Sequence, residues 1–208
     1  MELQSDTYFS IRKESQGGYR EKASKFIAIA IPVGTEGEVK TTLDRIRKEY
    51  HGANHFCYAY RLGFDKRQYR INDDGEPSGS AGKPIFGQIQ SFDLSDILVV
   101  VVRYFGGTKL GIPGLINAYR TAARESLTNA SIIEKTLMAR VEINFDYPAM
   151  NDIMRIVKEK ECRVIDQVSD ERCTIRLKVK MSFLPSFRER ITSLNRTSIL
   201  LRVNGIPE

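Results

Sequence analysis

The chain has 208 residues, with 32 Lys and Arg against 26 Asp and Glu, a formal charge of +6. That length suffices for one large core or two small ones, and 41% hydrophobic with 28% charged residues excludes a fibrous or disordered chain. The longest apolar run, Ile97 to Val102, is far too short to span a bilayer.

Two strands are predicted first, over 7–14 and 25–33, with Gln16-Gly17-Gly18-Tyr19 as the turn between them. In the second, Phe26, Ala28 and Ala30 alternate with Ile27, Ile29 and Ile31, so both faces are apolar and the strand belongs centrally in a sheet. Thr35 suits an N-cap with Glu36 and Glu38 in the first turn. Val39, Leu43, Ile46 and Tyr50 follow at helical spacing, which predicts a helix over 35–50. Strands follow at 55–62 and 68–71, then a polar glycine-rich loop over 72–82, then a helix opened by Lys83-Pro84. The valine run predicts a strand over 97–104 buried on both faces. Beyond a glycine loop, Leu115, Ile116, Tyr119, Ala122, Ala123, Ser126 and Leu127 place a helix over 114–129. These elements imply helices on one face of a mixed sheet.

Residues 129–137 carry no strong periodicity and are expected to form a linker. After them come strand 138–147, helix 148–159, strands 163–168 and 173–181 turning at Ser169-Asp170-Glu171, helix 185–195 and strand 199–204. The order βαββαβ is that of a ferredoxin-like sandwich. The expected fold class is α+β, with domains over 1–135 and 136–208.

Two strings carry chemistry. In Arg103-Tyr-Phe-Gly106-Gly107-Thr-Lys109-Leu-Gly111-Ile-Pro-Gly114, a strand runs into a helix through glycines flanked by two cations. Bare N–H groups and the helix dipole suit an anion there. A tight turn whose glycines supply positive φ fits the same residues, and the spacing matches neither the Walker A nor the dinucleotide fingerprint. The second string is Asn72-Asp73-Asp74-Gly-Glu76-Pro-Ser-Gly79-Ser80-Ala-Gly82-Lys83-Pro84. Asp73, Asp74 and Glu76 could hold a divalent cation or form a solvated turn. Ser80 is a candidate N-cap, and Gly79, Gly82 and Lys83 outline a second anion-receptive turn. Whether the acidic string folds against Arg103 or Lys83 as a structural salt bridge stays open.

His55, Cys57, Ala59 and Arg61 share one face of a strand, Phe56, Tyr58 and Tyr60 the other. His55 and Arg61, with Arg70, would suit phosphate or base-edge contact. A Cys57/His55 nucleophilic pair is disfavoured, because catalytic pairs come from different elements. Tyr8, Tyr58, Tyr60, Tyr69 and Tyr104 are either stacking groups or core. Cys57, Cys162 and Cys173 form no CxxC or zinc spacing and read as reduced thiols. No secretory signal opens the chain, so a cytoplasmic protein is expected, monomeric, without a cofactor or a membrane partner.

Three blocks in order resemble the IMPACT family over about residues 18–130: Asn54-His55-x-Cys57-x-Ala59-x-Arg61; Asp73-Asp74-Gly75-Glu76-Pro77 with Gly79-Ser80-Ala81-Gly82-Lys83-Pro84; and Val101 through Gly106-Gly107 to Gly114-Leu115. The resemblance implies an N-terminal fold like the second domain of a small-subunit ribosomal protein and the fourth domain of elongation factor G, with a left-handed crossover. It also implies a C-terminal domain similar to the last domain of that factor. Eukaryotic relatives add an RWD domain and act on a translation-regulating kinase pathway. That domain is absent from these 208 residues, so the kinase role does not transfer.

The leading expectation is a translation-associated protein that contacts RNA or the ribosome, or a protein partner in translation control. Arg103, Lys109, Lys83, His55 and Arg61 would meet phosphates, while Gly106, Gly107, Gly111, Gly79 and Gly82 allow close approach and Ser80 caps. The alternative is an enzyme acting on a phosphorylated or anionic small molecule, with Asp73, Asp74 or Glu76 as base or metal contact. A third reading is a protein–protein adaptor. Convergence of both loops on one pocket would favour the small molecule, an open face the binding protein.

Overall fold

The computed structural model describes residues 6–159, 162–170, 172–194 and 197–202. Two units emerge, one of Tyr8–Glu134 and one of Met1–Thr7 with Lys135–Glu208. The first runs β1 (Thr7–Ile11), β2 (Ser15–Glu21), β3 (Ser24–Pro32), α1 (Glu36–Glu49), β4 (His55–Leu62), β5 (Gln68–Asn72), α2 (Gly82–Ser91), β6 (Ile97–Tyr104), α3 (Gly111–Thr128) and β7 (Ile132–Thr136). Its main sheet has the order β2-β3-β6-β4-β5, every neighbouring pair antiparallel.

The valines decide this layout. Val99, Val100, Val101 and Val102 are all fully buried, so β6 needs cover on both faces and takes the central position. Val99 and Val101 pack with Ala28 and Ala59 beneath α2 and α3. Val100 and Val102 pack with Ile29 and Tyr60 against Val39 and Ile46 of α1. The α+β class therefore holds, but the expectation of a mixed sheet covered on one face is corrected. β3 and β4 both pair with β6, and α1 crosses between them on the face opposite α2 and α3.

Two further expectations change. The predicted turn at 16–19 is part of β2, and the chain reverses instead at Lys22 and Ala23, whose φ values are 44° and 63°. Gly17 is there for contact, since a Cβ on it would lie 2.3 Å from the Ser126 backbone nitrogen of α3. The predicted linker 129–137 contains β7, which pairs with β1 in a two-stranded sheet. That pairing joins segments too far apart in sequence for any local pattern to reveal.

The second unit contains β8 (Met138–Phe145), α4 (Met150–Glu159), β9 (Arg163–Ser169), β10 (Cys173–Lys180), α5 (Leu184–Thr192) and β11 (Thr197–Arg202). The sheet order β11-β8-β10-β9, all antiparallel, is ferredoxin-like. Val141, Ile143, Ile175 and Leu177 alternate into a core with Ile153 and Phe187 of the helices. Met1–Ser5, Glu171 of the predicted turn, Asn195 of the predicted helix and 203–204 of the predicted last strand lie outside the described residues. Among those described, no helix is long and apolar enough to cross a membrane.

Gly17→Ala is expected to destabilise the first unit by about 1–3 kcal/mol, because backbone must move to admit the methyl. Gly87→Ala, inside α2 with nothing within 4 Å of its Cβ position, is expected to stabilise by about 0.5–1 kcal/mol. Urea unfolding midpoints check both signs.

Candidate functional site

The acidic string is spent residue by residue. Asp73 faces the start of α2, where Oδ1 accepts from the backbone N–H groups of Ala81 (3.0 Å) and Gly82 (2.8 Å) and Oδ2 from Gly79 (2.9 Å). The second anion-receptive turn thus exists and holds an anion of the chain itself. Ser80 is fully buried, and its hydroxyl donates to the Pro77 carbonyl rather than capping the helix. Ala81 occupies the cap position, and Asp73 supplies the acceptor a cap would. Gly82 is required because a Cβ would sit 2.8 Å from the Asn72 nitrogen. Lys83 remains exposed beside this turn.

Asp74 turns the other way. Its Oδ2 accepts from the Phe56 N–H at 2.7 Å, and its Oδ1 lies 3.5 Å from the Arg47 guanidinium. Its own carbonyl is 2.8 Å from His55 Nδ1. A carbonyl only accepts, so Nδ1 carries a proton directed at it.

Glu76 closes the loop onto the central strand. It accepts from Arg103 Nη1 at 2.5 Å and from the Tyr119 hydroxyl at 2.7 Å, with His55 Nε2 at 3.9 Å. Both side chains of the ion pair are buried, Arg103 6% and Glu76 4% exposed. The guanidinium lies 5.4 Å from the Phe26 ring and 5.3 Å from that of Phe105. Its Nε is buried without a hydrogen-bond partner among the described residues. Cys57 donates to the Asp73 carbonyl and sits beside the Tyr119 hydroxyl. Burial pushes its thiol far above the ordinary range, which removes it as a thiolate nucleophile.

These groups line a cavity of about 440 Å³. His55, Glu76 and Arg103 form its polar side, and Phe105, Leu110, Ile112 and Leu115 its apolar side. Lys109 and Gly111 complete the rim, where α3 begins. Leu110 stands at the cap position of α3 and offers no side-chain acceptor, so this helix start differs from that of α2. Asn54 holds the loop in place, accepting from the Phe105 N–H at 2.8 Å.

Other predicted residues lie elsewhere or act structurally. Arg61 is on the His55 face, but six residues on, about 20 Å along the strand. There it is buried, donating to the Leu94 carbonyl and pairing with Asp93 at 3.4 Å. Arg70 is opposite Tyr60 in the sheet, so it falls on the face away from His55. Gly106 fits against the β2–β3 turn, where a Cβ would come within 2.1 Å of Ala23. Gly107 (φ 85°) and Gly111 (φ 73°) supply positive φ. Tyr58 and Tyr60 are core, and Tyr69 stacks on Phe86. Among the described residues no cluster of three or more His, Cys, Asp or Glu is placed to hold a metal ion. Sequence reasoning missed the apolar wall and the Tyr119 hydroxyl, because Phe105 and Ile112 sit in a loop and a helix start where periodicity says nothing, and Tyr119 reads as helix core.

Fold and site together define a two-domain α+β protein in which two glycine-bearing loops line one half-open polar–apolar cleft. A profile of the Impact N-terminal domain matches residues 22–127. The chain is 32% identical over 188 residues to the IMPACT family member YvyE of Bacillus subtilis, covering 90% of this chain and 87% of that protein. It is 28% identical over 182 residues to the IMPACT family member YigZ of Escherichia coli, covering 86% and 89%. A crystal structure described as a hypothetical protein aligns with a TM-score of 0.70 at 25% identity, over 97% of this chain and 98% of that one. The chain belongs to the IMPACT family.

Removing one partner of the buried pair, as in Glu76→Ala, is expected to cost about 3–5 kcal/mol, and Glu76→Leu with Arg103→Met together much less than the sum of the single changes. Asp73→Ala is expected to cost at least about 1.5–3 kcal/mol, because three N–H groups lose a charged acceptor. Thermal unfolding of Glu76→Ala, Glu76→Leu, Arg103→Met, the Glu76→Leu/Arg103→Met double variant and Asp73→Ala checks both.

Proposed function

We propose that the cavity binds a nucleotide, either free or as an unpaired residue of an RNA chain, and that the protein serves translation through this contact. One observation carries the reading: both loops line one half-open cleft with an apolar wall and Lys109 at its rim. The Phe105 ring, 43% exposed, offers a stacking surface, with Ile112 and Leu115 beside it. Lys109 and the start of α3 suit the phosphate. The Glu76 carboxylate suits hydroxyl or amino donors of the sugar or base.

Convergence favours a compact ligand over an extended phosphate backbone laid across the glycines. Arg103 and Arg61, two of the cations expected on RNA, are engaged in ion pairs. The link to translation is supported by the resemblance of both units to domains of ribosome-bound proteins and by the net charge of +6.

The test is calorimetric titration with nucleoside monophosphates, ribose 5-phosphate, inorganic phosphate and a short single-stranded RNA. Mononucleotides are expected to bind, Phe105→Ala to weaken them by about 1–3 kcal/mol through lost stacking, and Lys109→Ala to weaken phosphorylated ligands only. Binding of RNA but not of mononucleotides would place the ligand in a chain. Equal binding of inorganic phosphate and nucleotide, or no binding at all, would remove the nucleotide reading.

A further inference from the structure

The two edges of the first unit's main sheet are treated differently by the fold. In the order β2-β3-β6-β4-β5, the edge strands are β2 and β5. An edge strand offers its outward N–H and C=O groups to any chain that can pair with them, unless something closes it. At β2 the edge is closed by side chains of the α3 end of the fold. The Gly18 N–H donates to the Glu125 carboxylate, and the Gln16 carbonyl accepts from the Asn129 side-chain amide at 2.9 Å. At β5 the only main-chain pairing among the described residues is with β4 on its inner side. Gln68, Tyr69, Arg70 and Ile71 are all exposed, and the strand contains neither proline nor lysine to discourage pairing.

The two faces along this open edge differ in chemistry. Tyr69 and Ile71 stand opposite Arg61 and Ala59, on the side of α2. The Tyr69 ring stacks on Phe86 of α2 at 4.7 Å, and Tyr69 and Ile71 remain 57% and 38% exposed, which makes an apolar shelf. Arg70 stands opposite Tyr60 and so points to the α1 side. There it lines a cleft of about 540 Å³ together with Lys40 and Arg47. Two carboxylates, Glu36 and Asp44, share that cleft. Glu36 already accepts from the Tyr60 hydroxyl at 2.6 Å and from Gln68, so the cations are in excess on this side.

We propose that β5 is a docking strand, to which an extended segment of a partner protein adds as a sixth strand, its apolar side chains alternating with acidic ones. Main-chain hydrogen bonds to β5 hold such a segment, and alternate side chains give it specificity. Successive residues of an added strand point to opposite faces of the sheet. One set therefore lies over the Tyr69, Phe86 and Ile71 shelf, and the other beside Arg70 and the mouth of the α1 cleft. Apolar groups suit the first position and carboxylates the second. A second copy of this chain fits less well, because two-fold antiparallel pairing centred on Arg70 sets that arginine against itself. The net charge of +6 likewise favours an acidic partner over another copy. The inference goes beyond the nucleotide reading and does not depend on it, since no residue of β5 lines that cleft.

The experiment selects a random-peptide phage library on the full chain and measures the enriched peptides by fluorescence anisotropy. Enriched peptides are expected to alternate acidic and apolar residues. Arg70→Glu is expected to weaken them roughly tenfold, by placing like charges side by side. Tyr69→Thr/Ile71→Thr, which keeps strand propensity while removing the shelf, should weaken them as well. Thermal melts check that both variants fold. Methylating alternate backbone nitrogens of a bound peptide should abolish binding in one phase and spare it in the other, because only every second N–H of an added strand faces β5. Nucleoside monophosphates should not displace the peptide, which separates this edge from the cleft. The proposal is overturned by a selection that enriches nothing, by enriched peptides without the alternation, or by equal binding to Arg70→Glu. Equal tolerance of both methylation patterns, or self-association of the wild type through β5, overturns it too.

Discussion

The Glu76–Arg103 ion pair is the contact on which the first unit's functional geometry rests. It joins a loop residue to the end of the central strand, far apart in sequence, with almost no solvent at either side chain. Burying two charges costs several kcal/mol per ion unless other bonds satisfy them. Here the Tyr119 hydroxyl supplies a second donor to the carboxylate, and the Phe26 and Phe105 rings flank the guanidinium. Once formed, the pair sets where the acidic loop lies against β6, and therefore where the cavity opens. It also sets the Arg103 and Glu76 charges against each other in that cavity. On the proposed reading, a ligand is distinguished by Lys109, the helix start and the shape of the apolar wall.

Two helix starts in this unit use one physical device in different ways. At α2, three N–H groups meet an Asp73 carboxylate from the preceding loop, so the local field is satisfied internally. At α3, the cap position belongs to Leu110 and the helix opens at a cavity. The glycines around them serve distinct needs. Gly106 and Gly82 permit backbone contacts that any Cβ would prevent, while Gly107 and Gly111 adopt φ values that other residues strain to reach. A string of glycines beside cations is thus compatible with architecture at one position and ligand approach at the next.

Charge follows the same division. The excess of six positive charges does not map onto one patch. Arg61 and Arg103 are structural, each buried against a carboxylate partner. On the C-terminal sheet, Arg176 pairs with Glu142 and Asp166 across neighbouring strands. Register is a property of pairing, and it brings residues of β8, β9 and β10 that are far apart in sequence side by side.

Periodicity and punctuation in the sequence determined much of this protein on their own. The double-sided apolar pattern of 25–33 and 97–104 placed those strands centrally. The Thr35 cap located α1, and the βαββαβ order with its alternating apolar positions defined the C-terminal fold. Three blocks of residues identified the family. These features are legible because they depend on neighbours within a few positions. Tertiary structure alone decided that β3 and β4 flank β6, so that helices cover both faces, that residues 132–136 return to pair with β1, and that Gly17 and Gly18 belong to a strand. It also decided that Asp73, Asp74 and Glu76, adjacent in sequence, diverge to a helix start, a strand edge and a buried arginine. The physical reason is the same in each case: a side chain's role is set by partners brought near through packing, and sequence distance carries no record of them.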